Sequence, residues 1–209
     1  MAFEIRPIVT QVGLPRSDDV DTGMLVFCVQ EAVRETCRRT YLAQVTQSYS
    51  VTAATNAITV ALPADKGFAR VMRALWLGAT MTDYRQLKED TFNEALTDRL
   101  WIGSGSPTLF SQQNGVVLIY RTPNEAGTLR LVSAYVPITD FTTAPLPEQA
   151  VRAVVKKAGA LVMSIPGPNQ NLQMAITLDR EFDRVIGGLR ALAFVGEGGS
   201  PSFSVRALA

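Results

Sequence analysis

Apolar residues recur along this chain with two distinct rhythms. From Asp18 to Ala43, Val26, Val29, Val33, Cys37 and Tyr41 fall at spacings of three and four, while Glu31, Arg34, Glu35, Arg38 and Arg39 take the opposite side. That is one buried face of a helix and one solvated face. Ser17-Asp18-Asp19 supplies the expected cap and first-turn acids, and Glu35 is placed to pair with Arg39 one turn on. The same rhythm returns late in the chain. Val151, Val154, Val155, Ala158, Val162 and Ile165 form one stripe behind Pro147, and Pro166-Gly167-Pro168 ends it. Ala175, Leu178, Phe182, Val185, Ile186, Leu189 and Leu192 form the last and clearest stripe, which predicts a helix from Leu172 to Val195 with Asn171 before it. Gly187-Gly188 sit inside that helix, and a close approach of another element is the expected reason.

Between these helices the rhythm changes. Gln44–Val51, Ala57–Leu62 and Phe68–Leu77 read as strands bounded by turn residues. Thr91-Phe-Asn-Glu94 is a capping box for a short helix over Phe92–Asp98, after a turn at Asp83–Leu87. The stretch from Trp101 to Phe141 then carries two apolar runs, Gly115–Arg121 and Thr128–Pro137, on either side of Pro123, Asn124 and Gly127. That spacing predicts a hairpin. In the second run Leu129, Leu131, Ser133 and Tyr135 share one face and Thr128, Arg130, Val132, Ala134 and Val136 the other, one face reading as buried and the other as mixed. Residues 1–15, with Pro7, Gly13 and Pro15, read as an extended arm. Gly196–Pro201 reads as a flexible break before the alternating Phe203, Val205 and Ala207.

The pattern thus predicts an α+β fold, with long helices packed with an antiparallel β-sheet or barrel-like region and extended N- and C-terminal arms. Its parts are an N-terminal arm over 1–16, a helical part over 17–43 and 142–195, a β-rich part with a short helix over 44–141, and a C-terminal arm over 196–209. With 209 residues, 47% of them hydrophobic, the chain has enough apolar mass for a sizeable core. Charged residues are only 19%, which suits a surface partly covered by other subunits. The net charge of +1 lacks the basic excess of a protein built to grip nucleic acid. The N-terminus has no signal-peptide pattern and no apolar run is long enough to span a bilayer, so a soluble protein with no membrane partner is expected. Cys28 and Cys37 are nine positions apart, on opposite sides of one helix, and read as buried small hydrophobes.

The chain has no histidine, which excludes Ser-His-Asp and Cys-His catalysis. Gly103-Ser-Gly-Ser and Gly196-Glu-Gly-Gly-Ser lack the lysine and the strand-to-helix context of a phosphate loop. Asp18, Asp19 and Asp21 have Val29 where a calcium loop needs glutamate. A hydrolase without histidine would need paired carboxylates in a cleft, and no such pair is apparent. The expectation is a non-enzymatic module with no catalytic residue, no cofactor and no metal.

Read in order, Tyr84-Arg-Gln-Leu-Lys, Trp101, Gly105-Ser-Pro107-Thr-Leu-Phe110, Gly115-Val-Val-Leu-Ile-Tyr, Pro123 through Gly127-Thr-Leu-Arg-Leu and Tyr135-Val-Pro137, followed by two helices, resemble the head-to-tail adaptor (connector) proteins of tailed bacteriophages. The likeness covers residues 17–195. It implies a structural virion protein at the head–tail junction, synthesised in the host cytoplasm. It further implies a ring of identical subunits, usually a dodecamer, between the portal protein and a tail tube or nozzle protein. Genomic double-stranded DNA would pass through the ring without sequence-specific contact. A β part facing the tail would include Trp101, Pro107, Phe110, Pro123 and Asn124, and a portal-docking arm would include Phe203, Val205, Arg206 and Leu208. The resemblance also leads one to expect a short N-terminal helix, where the residues themselves read as an arm. The alternative is a β-rich tail binding module that recognises a glycan or another tail protein, with Trp101 and Tyr120 exposed for stacking.

Overall fold

The computed structural model describes residues 2–4, 6–13, 16, 19–90, 103–139 and 143–193. The elements in order are β1 (Ala2–Glu4), α1 (Arg6–Gly13), α2 (Thr22–Thr40), β2 (Gln44–Val51), β3 (Ala57–Thr59), β4 (Lys66–Gly78), β5 (Arg85–Glu89), β6 (Leu109–Gln113), β7 (Val116–Tyr120), β8 (Gly127–Pro137) and β9 (Thr143–Pro147). A 3-10 turn at Glu148–Ala150 leads into α3 (Val151–Ser164), and α4 (Leu172–Ala193) follows. The chain divides into two compact units: a helical one built from residues 6–42 and 147 onward, and a β one built from 2–5 and 43–146.

In the β unit, seven strands run in the order β2-β8-β4-β5-β6-β7-β3, and β1 pairs separately with β9. The seven form a mixed, nearly closed, barrel-like sheet: β5 and β6 are parallel through Lys88↔Leu109 and Glu89↔Phe110, and the other pairs are antiparallel. The end strands β2 and β3 are joined by side chains instead of a ladder. Gln47 Nε2 donates to the Ala61 carbonyl at 2.6 Å, and the Ala61 amide donates to the Tyr49 hydroxyl at 3.2 Å. These bonds satisfy backbone groups that an open edge would leave to solvent or to another chain. The core inside the sheet is Val51, Ile58, Val60, Val71, Ala74, Trp76, Leu87, Phe110, Val117, Ile119, Leu129 and Leu131. In β8, Leu129, Leu131 and Ser133 point inward as the alternation requires.

The expected hairpin between Gly115–Arg121 and Thr128–Pro137 does not form. β7 pairs with β6 and β3, and β8 pairs with β2 and β4. The tight turn lies instead at Asn114-Gly115, whose φ values of 51° and 78° are those of a two-residue hairpin loop joining β6 to β7. The 11-residue β8 finds a longer partner in the 13-residue β4, with paired positions from Lys66↔Pro137 to Gly78↔Gly127. Gly127 is needed there for a close approach: a Cβ would stand 2.5 Å from the Trp76 ring and 2.6 Å from the Leu77 carbonyl.

Register in β4 shifts between Phe68 and Arg70 and between Val71 and Arg73. Such irregularities orphan backbone groups, and here the side chain of Gln112 serves them. Its Oε1 accepts from the Val71 amide at 2.7 Å, and its Nε2 donates to the Val71 carbonyl at 3.0 Å and to Glu89 Oε1 at 2.7 Å. Arg70 pairs with the other oxygen of Glu89 at 2.7 Å.

Other expectations also change. Residues 6–13 are helical, not an extended arm: Ile8 and Val12, one turn apart, are both buried, and Pro7 falls in the first turn, where its missing N–H costs nothing. The expectation of a helix there, carried by the resemblance, is met. Helix α2 starts at Thr22 with Asp21 as its cap, accepting from the Met24 amide at 3.3 Å, because Asp19 is held by Arg16. Residues 85–89 are a strand where a turn was expected, and Thr143–Pro147, within the stretch assigned to the helical part, form β9. In α2, Glu35 pairs with Arg38 rather than Arg39, which reaches Asp183 at 2.6 Å. Among the described residues, nothing lies within 4 Å of a Cβ built on Gly187 or Gly188, so none of the described elements packs closely on them. The short helix at 92–98 and the C-terminal arm at 196–209 lie outside the described residues.

Candidate interaction surfaces

Within the helical unit, α3 and α4 are antiparallel neighbours. Lys156 pairs with Glu181 at 2.6 Å, Lys157 pairs with Asp179 at 2.7 Å, and a Cβ on Gly159 would touch Leu178 at 3.1 Å. Lys156 and, less strongly, Arg152 and Arg184 hold the Glu181 carboxyl below the usual carboxylate range. Helix α2 runs with α4: Arg39 near its C-terminus pairs with Asp183 and lies over the Phe182 ring at 5.1 Å, and Arg190 Nε donates to the Arg39 carbonyl at 2.8 Å.

A buried arginine organises the end of this unit where α2 and α4 begin. Arg16 donates from Nη1 to the last-turn carbonyls of Val162 at 3.1 Å and Ile165 at 2.5 Å, and from Nε to Asp19 Oδ1 at 3.1 Å. A cation there complements the negative end of α3 and its last carbonyls. Asp19 in turn accepts from the Asn169 amide at 3.3 Å. The Arg16 guanidinium, with Asn169 assisting, holds the Asp19 carboxyl below its ordinary range, and the same bond raises Arg16. A Cβ on Gly167 would stand 2.7 Å from the Arg16 guanidinium and 2.8 Å from the Asp19 carboxylate, so a side chain there would push this pair aside. Asn171 caps α4 as its position suggested, with its Oδ1 accepting from the Met174 amide at 2.9 Å.

Beside that end, α3 and α4 part to leave a cleft of about 340 Å³. Ala160, Leu161 and Ser164 form one wall and Leu172, Ala175 and Ile176 the other, and the Lys157–Asp179 pair sits at its far end. Met174, Leu172 and Ile176 of α4 and Met24 and Phe27 of α2 are exposed large hydrophobics. Isolated apolar residues on a surface are ordinary, but several on each of two helices of one unit point to a partner. Arg16 and this cleft escaped the sequence reading. Leu172 and Ile176 are one turn apart off the main stripe, and that was the available signal.

The β residues expected to face a tail differ in exposure. Pro107, Phe110 and Pro123 are buried, with Phe110 in the sheet core, and Asn124 is exposed. Tyr120 is half-buried, with its hydroxyl 2.8 Å from that of Ser111. Trp101 and the expected docking residues Phe203, Val205, Arg206 and Leu208 lie outside the described residues. Cys28 and Cys37 are free and buried as expected, and burial pushes the Cys37 thiol up to about 12. Among the described residues, no group of three or more Cys, Asp or Glu could hold a metal ion, and no helix is long and apolar enough to cross a membrane.

No curated protein matches the chain. The family model described as SU10 adaptor protein matches residues 6–198, which takes in all of both helical stretches from α1 to α4 and the β unit between them. That match, on a chain whose described surface offers contact patches, makes it a member of the SU10 adaptor family of phage structural proteins, components of the virion that associate with other head or tail proteins.

Proposed function

We propose that this chain is the repeating subunit of a ring seated between the portal and the tail, through which double-stranded DNA passes. The carrying observation is the two groups of exposed apolar residues on α2 and α4 of the helical unit, on a chain that belongs to an adaptor family. A surface of that kind suits lateral packing of identical subunits, and the resemblance gives twelve as the usual number. The helical unit then makes the subunit contacts, the β unit with Asn124 at its surface faces the tail tube or nozzle, and Phe203, Val205, Arg206 and Leu208 dock on the portal. A near-neutral chain suits a conduit, because each added phosphate contact would slow the passage of DNA.

Electron micrographs of the purified protein, alone and after mixing with portal protein, test this. Rings alone, or rings formed only on portal, are the expected result. A monomer that never binds portal and never forms a ring would overturn it.

A further inference from the structure

Two apolar patches on the helical unit stand uncovered. Met24 and Phe27 on α2 are 45% and 52% exposed, and Leu172 and Ile176 at the α3–α4 cleft are 56% and 48% exposed. We infer that Met24 and Phe27 of one copy seat in the α3–α4 cleft of a second copy, against Leu161, Leu172 and Ile176. The contact is therefore heterologous, one patch on a different patch. This deepens the ring reading and rests on it.

Direction and charge both favour a second copy as the occupant. Helices α2 and α4 start at the same end of the unit and run the same way. A rotation about an axis along them therefore lays α2 of one copy beside α4 of the next, starts together. The rows that follow are complementary. One and two turns beyond Phe27 come Glu31 and Glu35; one and two turns beyond Ile176 come Arg180 and Arg184. On α4 each carboxylate is paired within its own unit, Asp179 with Lys157, Glu181 with Lys156 and Asp183 with Arg39, whereas Arg180 and Arg184 hold no ion pair among the described residues. Setting apolar patch on apolar patch brings the Glu31–Glu35 row opposite Arg180 and Arg184. Glu31 and Glu35 already hold Arg34 and Arg38 on their own helix, so the cross-contacts fix register while the apolar residues supply the attraction. A heterologous contact of this kind propagates, and it closes into a ring if the rotation divides the circle.

Cysteine cross-linking of the full chain tests it. Phe27→Cys and Ile176→Cys are made singly and together and treated with a short bis-maleimide. Cys28 and Cys37 are buried, and burial raises both thiols, so the wild type serves as the unreactive blank. The two single variants mixed should give a cross-linked dimer, each alone should give none, and the double variant should give a ladder. A dimer from one single variant alone, no cross-link in the mixture, or a cross-link only to added portal protein overturns the contact. Phe27→Asp, at an exposed site, should keep the circular dichroism of the wild type and lose its oligomers; oligomers retained would also overturn it. Rings in micrographs without the cross-link sink this contact and leave the ring standing, whereas neither rings nor cross-links, with or without added portal protein, sinks both.

Discussion

Gly127→Ala in β8 isolates one feature of the β unit, the backbone approach between β8 and β4. The added Cβ would stand 2.5 Å from Trp76 Cζ2, 2.7 Å from Trp76 Cη2 and 2.6 Å from the Leu77 carbonyl. None of these can yield cheaply. Trp76 is fully buried in the core, and Leu77 belongs to a strand held by β8 on one side and β5 on the other. Gly127 also pairs with Val51 of β2, so a local retreat of β8 would disturb two ladders. Overpacking of a rigid site costs about 1–3 kcal/mol, and backbone in the clash argues for the upper end. For a unit of this size that corresponds to a fall in Tm of roughly 10 °C. Urea unfolding followed by tryptophan fluorescence reads it, with Gly103→Ala, where a Cβ meets nothing within 4 Å, as the control. The midpoint should drop for Gly127→Ala at an unchanged m-value and stay put for Gly103→Ala. A loss below about 0.5 kcal/mol, the size of an ordinary surface change, would refute the claim that β8 and β4 are locked at this point.

Opposite behaviour is expected of Gly187→Ala with Gly188→Ala. Both positions are exposed in α4 with open space around them, so the pair should stabilise the monomer by roughly 1 kcal/mol through helix propensity, read by thermal melting. Gln112→Ala removes the amide that serves Val71 and Glu89, and a loss of about 1–3 kcal/mol in urea titration is expected. The Asp19 carboxyl is held below its ordinary range, so its contribution is present above the unfolded value near 3.8 and is lost as pH falls through the folded one. Acid titration of stability should therefore be steeper below about pH 4 for the wild type than for Asp19→Asn, and equal slopes would remove Arg16–Asp19 from the account.

The α+β class and the three long helices were legible because their buried faces repeat at helical spacing. Val29, Val33 and Cys37 in α2, Val154, Ala158 and Val162 in α3, and Phe182, Ile186 and Leu189 in α4 are all buried. The cap at Asn171 and the inward Leu129–Leu131 face are equally local facts. Other parts were not legible, each for a physical reason. Whether Pro7 opens a helix or an arm depends on Ile8 and Val12 finding something to bury against, which is a property of the folded unit. Strand pairing likewise depends on length matching and closure: β8 lies beside β2 and β4, which lie far away in sequence, while Asn114-Gly115 takes the hairpin turn. Arg16 looks like one more surface charge until the α3 terminus, about 150 positions away, brings it the carbonyls of Val162 and Ile165.

What the amino-acid order determined by itself is therefore what depends on neighbours a few residues apart: helical stripes, caps, strand alternation and the lack of any histidine for proton-transfer chemistry. Only the tertiary structure decided what depends on distant partners: the strand order of the nearly closed sheet, the buried Arg16–Asp19 closure of the α3–α4 loop, and the exposure of Phe27, Leu172 and Ile176 at one end of the helical unit. Periodicity records which side of an element is apolar. Whether that side ends up covered is set by the elements that arrive from elsewhere in the chain.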